Sequence, residues 1–497
     1  MRTFASSHRT QADAKEPVSG CWDTESMEIL VACYLGFLAV FLIGFMLYRS
    51  ARGKPALCML HFFFIGFIIF QLTSGALILT LPNSGESGFA EPARTAPVYA
   101  AMITVVLALL AFAYRTRAFT MGIQNKIGTS ERSPNSATMM LLAYGAFGFA
   151  LIFRFVLAFV PILSNLALII ATAMAAASVA LGAWAWARNW NNPIFSILFF
   201  PLLGAAMAVV IYQNFGRRDL TAVAICAAWG AFHGYFKNVP LRRMALPFFA
   251  IAATGVFALA AYTATRTERA ASLPFTETVM RLFTADLPKG LLDMASGQEA
   301  AGYSMYLIES RPESAPYDTL HSLWFAVTTQ VPRQFWPEKP DPLALTLVPE
   351  LGITKKSPGY NVGPGLIGHI SNDNPYIALW LYPLLIGTIL RIGDDLIERF
   401  PTNPFVVIPV GAGLAEVVAF SRGELGLFLY RTAVCVISVY ILLWITAKVL
   451  KTLGLRMRDA DGNSMNEPTA TSTDGVVDPA YADWYGHEDQ MNNDGRS

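Results

Sequence analysis

The chain has 497 residues, of which 54% are hydrophobic and 14% charged, with a mean hydropathy of +0.44 and a formal net charge of +1. That composition is too apolar and too poor in charge for a soluble globular protein, and the near-neutral balance offers no bulk electrostatic case for nucleic acid. The expected fold class is all-α, a polytopic membrane protein.

Residues 1–26 form a polar arm of mixed charge with no small-residue cleavage site, which reads as an extracytoplasmic arm rather than a removable signal. Apolar runs long enough for a span of ~20 helical residues then follow at 27–48, 56–81, 96–114, 137–163, 165–187, 193–215, 220–236 and 244–263. Between 264 and 374 the pattern stops. It resumes at 375–392, 403–420 and 425–450. The expectation is about eleven spans by a ~19-residue hydropathy window. Eight fall in 27–263 and three in 375–450, and a break around Gly411 and Gly413 would change the count by one. Cys33, Cys58, Cys226 and Cys435 lie inside apolar runs and Cys21 stands alone, without metal or disulfide spacing.

Lys and Arg in short loops set the orientation. Arg49, Arg52 and Lys54 follow the first run. Arg115, Arg117, Lys126 and Arg132 follow the third, Arg188 the fifth, and Lys237, Arg242 and Arg243 the seventh. All fall on one side, where Lys448, Lys451, Arg456 and Arg458 also end the last run. The C-terminus is therefore expected in the cytoplasm, the N-terminus outside, and the 264–374 loop extracytoplasmic. The tail, 451–497, is rich in Asp, Asn, Ser, Thr and Gly and is expected to be disordered. One short outer loop, Gly216-Arg217-Arg218-Asp219, places two arginines against the rule.

Three ionisable residues fall inside apolar runs: Arg154, Glu416 and Arg431. Each costs about 2.5–3.5 kcal/mol on insertion scales unless it finds a partner or a wet cavity. The topology puts all three in the outer leaflet. An Arg–Glu pair locking helices together and a shared anionic ligand are both open readings.

In the long loop, Tyr317, Leu320, Trp324, Val327 and Val331 mark one helical face over 317–330, as expected of a helix lying on the membrane surface. Asp318 and Thr319 suit its start. His321 stands off the stripe. The helix leads into Val331-Pro332-Arg333-Gln334-Phe335-Trp336-Pro337-Glu338-Lys339-Pro340, whose three prolines stiffen a segment presenting Arg333 and Lys339 beside aromatic rings. Such a platform suits an anionic, sugar-bearing ligand, because Arg forks onto phosphate oxygens and an indole offers a stacking face. The Gly- and Pro-rich stretch 357–365 reads as a lid or strap, and Gly368 to Asn374 brings polar groups to the next run.

The Val-Pro-Arg-x-x-Trp-Pro-x-Lys-Pro pattern from Val331 to Pro340, in a large outer loop late in a multispanning chain, resembles the bacterial oligosaccharide repeat-unit polymerases, the O-antigen polymerase group. Gly216-Arg217-Arg218 resembles that family's arginine-bearing outer loop, and Gly365-Leu366-Ile367-Gly368-His369 resembles its segment after the long loop. The resemblance covers roughly 211–450. Where the family pattern has an acidic residue and then an aromatic one, this chain has His369 and Ser371.

The resemblance implies glycosyl transfer without a metal or other cofactor, at the outer face of the bacterial cytoplasmic membrane. The donor would be a glycan on undecaprenyl pyrophosphate and the acceptor a second lipid-linked repeat unit. Membrane lipid and a chain-length regulator protein would be further partners. Arg217, Arg218 and Arg333 would hold the pyrophosphate, with Lys339, Arg422, Arg154 and Arg431 as further cationic contacts and Trp336 against the substrate. His369, with His321 behind it, would be the base. Rival readings are an O-antigen ligase-like transferase, a transporter or flippase of lipid-linked glycan, and a metal-dependent oligosaccharyl transferase. The last would want paired acidic ligands, for which only Glu86 and Glu91 in a short linker come forward.

Overall fold

A computed structural model describes residues 24–80, 92–116, 134–212, 217–239, 255–264 except 258 and 262, 280–281, 284–295, 299–353 and 361–453. Most of the N-terminal arm, most of the 244–263 run, the 357–360 part of the strap, nearly all of the acidic tail, and Glu86 and Glu91 lie outside the described residues, as does the side chain of Arg217.

The chain is an all-α membrane protein. Among the described residues eight helices are long and apolar enough to cross a bilayer. They are α1 (Thr24–Ala51), α2 (Met59–Thr80), α3 (Pro92–Arg115), α4 (Ser136–Phe155), α5 (Ser164–Arg188), α6 (Pro193–Ile211), α13 (Pro375–Arg399) and α16 (Leu425–Thr452). Between α6 and α13 the described residues include α7 (Arg217–Gly234) and, in the long loop, the shorter helices α8 (Leu287–Ala295), α9 (Ala300–Ser310), α10 (His321–Thr328), α11 (Leu343–Glu350) and α12 (Gly365–Asn372). The run expected at 403–420 is two pieces, α14 (Pro404–Ala412) and α15 (Leu414–Ala419), parted at Gly413. The run expected at 220–236 is α7, shorter than the others and charged in its first turn.

Helix α5 is the hub. Alanine fills it from Ala167 to Ala187, and it is apolar all round and buried on nearly every face, as a helix inside a bundle must be. It packs against α4, α6, α7, α14 and α16. Small residues allow the closest of these contacts. A methyl group on Gly230 of α7 would stand 2.0 Å from the carbonyl oxygen of Ala180 on α5, so only glycine fits there.

Helix α2 contains one π-helical turn, Ile68–Thr73. It turns the buried Gln71 to donate to the Ser421 carbonyl at 2.6 Å, and Tyr99 of α3 donates to Gln71 at 2.8 Å. At the other end of the bundle, Asp394 of α13 accepts from the amides of Met59 (2.6 Å) and Leu60 (3.3 Å) and from the Tyr114 hydroxyl (2.8 Å), which satisfies the opening turn of α2.

The long loop is built onto the bundle. Helix α9 packs on α12 and α3, and α10 packs on α16. A methyl on Gly426 would lie 2.1 Å from the Ser322 carbonyl, so α10 crosses the first turn of α16 backbone to backbone. Helix α10 is shorter than the 317–330 expectation because Leu320 adopts a left-handed conformation, φ 62°, and breaks the chain just before His321. Asp318 does not cap the helix with its carboxylate, which pairs instead with the His321 ring at 2.6 Å. Trp324, Val327, Val331 and Phe335 all face outward, with Val327 75% exposed.

Candidate functional site

At one end of the bundle the last turn of α4, the first turn of α7, helix α15 and the second turn of α16 meet. Arg431 of α16 donates through Nε to Glu416 Oε1 at 2.8 Å and through a terminal nitrogen to Asp219 Oδ1 at 3.4 Å. Arg218 Nε stands 3.7 Å from both carboxylates, and its guanidinium lies over the Phe428 ring, 5.1 Å from the centroid. Arg154, only 7% exposed, has Asp219 as its acidic neighbour and makes no hydrogen bond among the described residues. Among the described side chains three arginines thus stand against two carboxylates. Burying such groups is costly unless they pair, so the carboxylates hold the cluster in place.

A cavity of about 380 Å³ opens beside the cluster. Arg154, Arg218, Asp219 and Arg431 line it together with Asn165, Thr172 and Tyr212. Phe155, Phe159, Leu168 and Ile169 complete the lining, and Asn165, Leu168, Ile169 and Thr172 share one face of α5. The lining mixes charged, neutral polar and apolar side chains, and a ligand with an anionic group and an apolar portion fits it.

The other expected site residues are elsewhere. Arg333 pairs with Asp341 and donates to the Pro337 carbonyl at 3.3 Å, inside its own loop, with half its side chain exposed. Lys339 Nζ donates to the carbonyls of Thr329 (2.6 Å) and Val331 (3.2 Å), where the lysine caps the C-terminal end of α10. Trp336 meets Trp324 edge-on at 6.2 Å. Arg422 lies over the Phe70 ring at 5.6 Å. Neither Arg333, Lys339, Trp336, Arg422 nor His369 lines the cavity.

His369 belongs to a second, closed network. It is fully buried, and its Nδ1 lies 2.7 Å from Ser322 Oγ. The Leu425 amide donates to Nε2 at 3.2 Å, so the proton of the neutral ring sits on Nδ1 and is given to Ser322. Asp373 accepts from the Ser322 amide at 2.7 Å, from Asn372 at 3.2 Å and from the Tyr382 hydroxyl. Glu424 approaches His369 Nε2 at 3.7 Å and accepts from the Ala344 amide at 3.1 Å. Burial pushes the His369 imidazole below its ordinary value and the Glu424 carboxyl above its own. Burial also raises Asp373, against the three donors that favour its charged form. His321 is buried and stacked on Phe325 at 6.2 Å.

Sequence reasoning missed the cavity's neutral polar residues, Asn165, Thr172 and Tyr212, and it named Asp219 without giving it a role. Asp219 carried the one usable signal, since it directly follows the two arginines. Ser322, Asp373, Tyr382 and Glu424 had no local signature. Among the described residues no three His, Cys, Asp or Glu side chains are grouped so as to hold a metal ion. No family model, curated protein or solved structure matches the chain.

Proposed function

We propose that the chain polymerises polyprenyl-pyrophosphate-linked oligosaccharide repeat units at the outer face of a bacterial cytoplasmic membrane, as the resemblance to repeat-unit polymerases implies. The observation that carries this reading is the convergence of Arg154, Arg218 and Arg431, from three separate helices, on one amphipathic cavity. Fixed cations stabilise charge where it builds up, and here that charge is the departing pyrophosphate. The acceptor hydroxyl attacks the anomeric carbon of the donor sugar. As the new C–O bond forms, the C–O bond to pyrophosphate breaks and its electron pair leaves with the phosphate.

The hydroxyl proton needs a base within reach. Asp219 is the carboxylate in the cavity lining, whereas His369 is enclosed and already hydrogen-bonded on both nitrogens. In this reading the base is Asp219, and His369 holds α10, α12 and α16 together. Arg333 and Trp336 stand in an exposed loop beyond the cavity, where they are available to the glycan rather than to the pyrophosphate.

The test is glycan analysis of a strain lacking the protein. Single repeat units on the final acceptor are the expected result. Polymers of normal length distribution would refute the reading, and loss of glycan from the final acceptor altogether would point to ligation instead.

A further inference from the structure

Hydroxyls inside a membrane bundle ordinarily bond back to their own helix, because lipid offers no partner. Thr104, Thr388, Thr432 and Thr446 all do so, each donating to the carbonyl four residues earlier at 2.7–2.8 Å. Thr172 of α5 does not, although it is only 9% exposed; among the described residues its hydroxyl has no protein partner. Asn165 lies seven residues earlier, two turns down the same face of α5, and its amide likewise has no partner among the described residues. Both line the cavity, as does Arg154. Beside them the rings of Phe155 and Tyr212 pair at 5.4 Å, each more than two-fifths exposed.

Neutral donors and acceptors without protein partners, next to an aromatic pair and one step from an arginine cluster, call for a ligand with several hydroxyls and an apolar face. That is a sugar ring attached to a phosphate. We propose that this wall is the subsite for the sugar directly linked to the lipid pyrophosphate, with Asn165 and Thr172 as the residues that select it. The proposal rests on the transferase reading and adds to it which part of the substrate α5 reads. A site built to hydrogen-bond a hydroxyl discriminates strongly against a ligand without one, because its own polar groups are then left unpaired.

The test uses the full chain in lipid nanodiscs and two probes, a short-chain prenyl pyrophosphate and the same lipid carrying a single hexose. The wild-type protein is expected to bind the hexose-bearing probe about tenfold more tightly. In Thr172→Val and Asn165→Leu this ratio falls towards one, and Thr172→Ser restores it. Arg154→Gln weakens both probes together. A ratio that stays at tenfold in both variants, or that is already near one in the wild type, overturns the sugar subsite while the pyrophosphate reading stands. If neither probe binds the wild type, the transferase reading falls and the subsite with it.

Discussion

Two polar clusters share the opening turns of α16, and they are built in opposite ways. Around Leu425, His369, Ser322, Asp373, Tyr382 and Glu424 are enclosed and tied to one another and to backbone amides. Around Arg431, six residues and about 9 Å of helix further on, the carboxylates are engaged but Arg154, Asn165 and Thr172 still face open space. The first cluster has the residue types of a catalytic triad, and all of its side chains are buried. The second has an ordinary ion pair at its centre and a cavity beside it. Residue type marks a candidate site; unused hydrogen-bonding capacity beside a cavity distinguishes a binding site from a structural joint.

Substitutions sharpen the contrast. The largest effect is expected from Glu416→Gln, which leaves Arg431 and Arg218 with too little negative charge. Stranding a buried charge costs about 3–5 kcal/mol, so folded protein recovered in detergent should fall sharply. Normal recovery and an unchanged unfolding midpoint would mean that the cluster is not locked by its carboxylates. Next comes Asp219→Asn, which also loosens the cluster; per folded molecule it should lower the transfer rate about 10²–10⁴-fold, the usual worth of a general base, while His369→Gln keeps most of the activity per folded molecule. The reverse order would return the base to His369.

A smaller effect concerns pH. His369 is held below its ordinary value, so its contribution to stability is present above about pH 6.5 and is lost as the pH falls through its folded value. Glu424 is held above its ordinary value and works the other way, contributing fully below about pH 4.3 and less as the pH rises through its folded value. Over acidification from pH 7 to 5 the His369 contribution falls while that of Glu424 rises, so His369→Gln should shift the change in unfolding midpoint over that stretch in the stabilising direction. A slope unchanged by the substitution would contradict a buried neutral imidazole. The smallest effect is expected for Arg333→Ala, whose exposed pairing with Asp341 is worth no more than about 1 kcal/mol of stability.

The spanning helices were largely legible because a bilayer demands long apolar runs, and those runs need no tertiary context to be recognised. Even the division of the 403–420 run followed from Gly411 and Gly413. The π-turn in α2 was not legible, since the Ser421 carbonyl that Gln71 reaches from it lies in a turn 350 residues away. The charges inside the runs pointed to one end of the bundle, but which of them keep an unused donor depends on neighbours remote in sequence. Arg431 and Asp219 are 212 residues apart. The prominence of Arg333 came from stiff local sequence, and the same stiffness lets Asp341 and the Pro337 carbonyl occupy it from within the loop.

The central claim is that the cavity at Arg154 carries the chemistry, and Arg154 tests it most directly because it has no hydrogen bond among the described residues to lose. The measurement is the chain-length distribution of glycan in a deletion strain complemented with Arg154→Gln, alongside the amount of folded protein in the membrane. The account predicts normal protein levels with single repeat units in place of polymers. Wild-type polymer lengths at normal protein levels would contradict it.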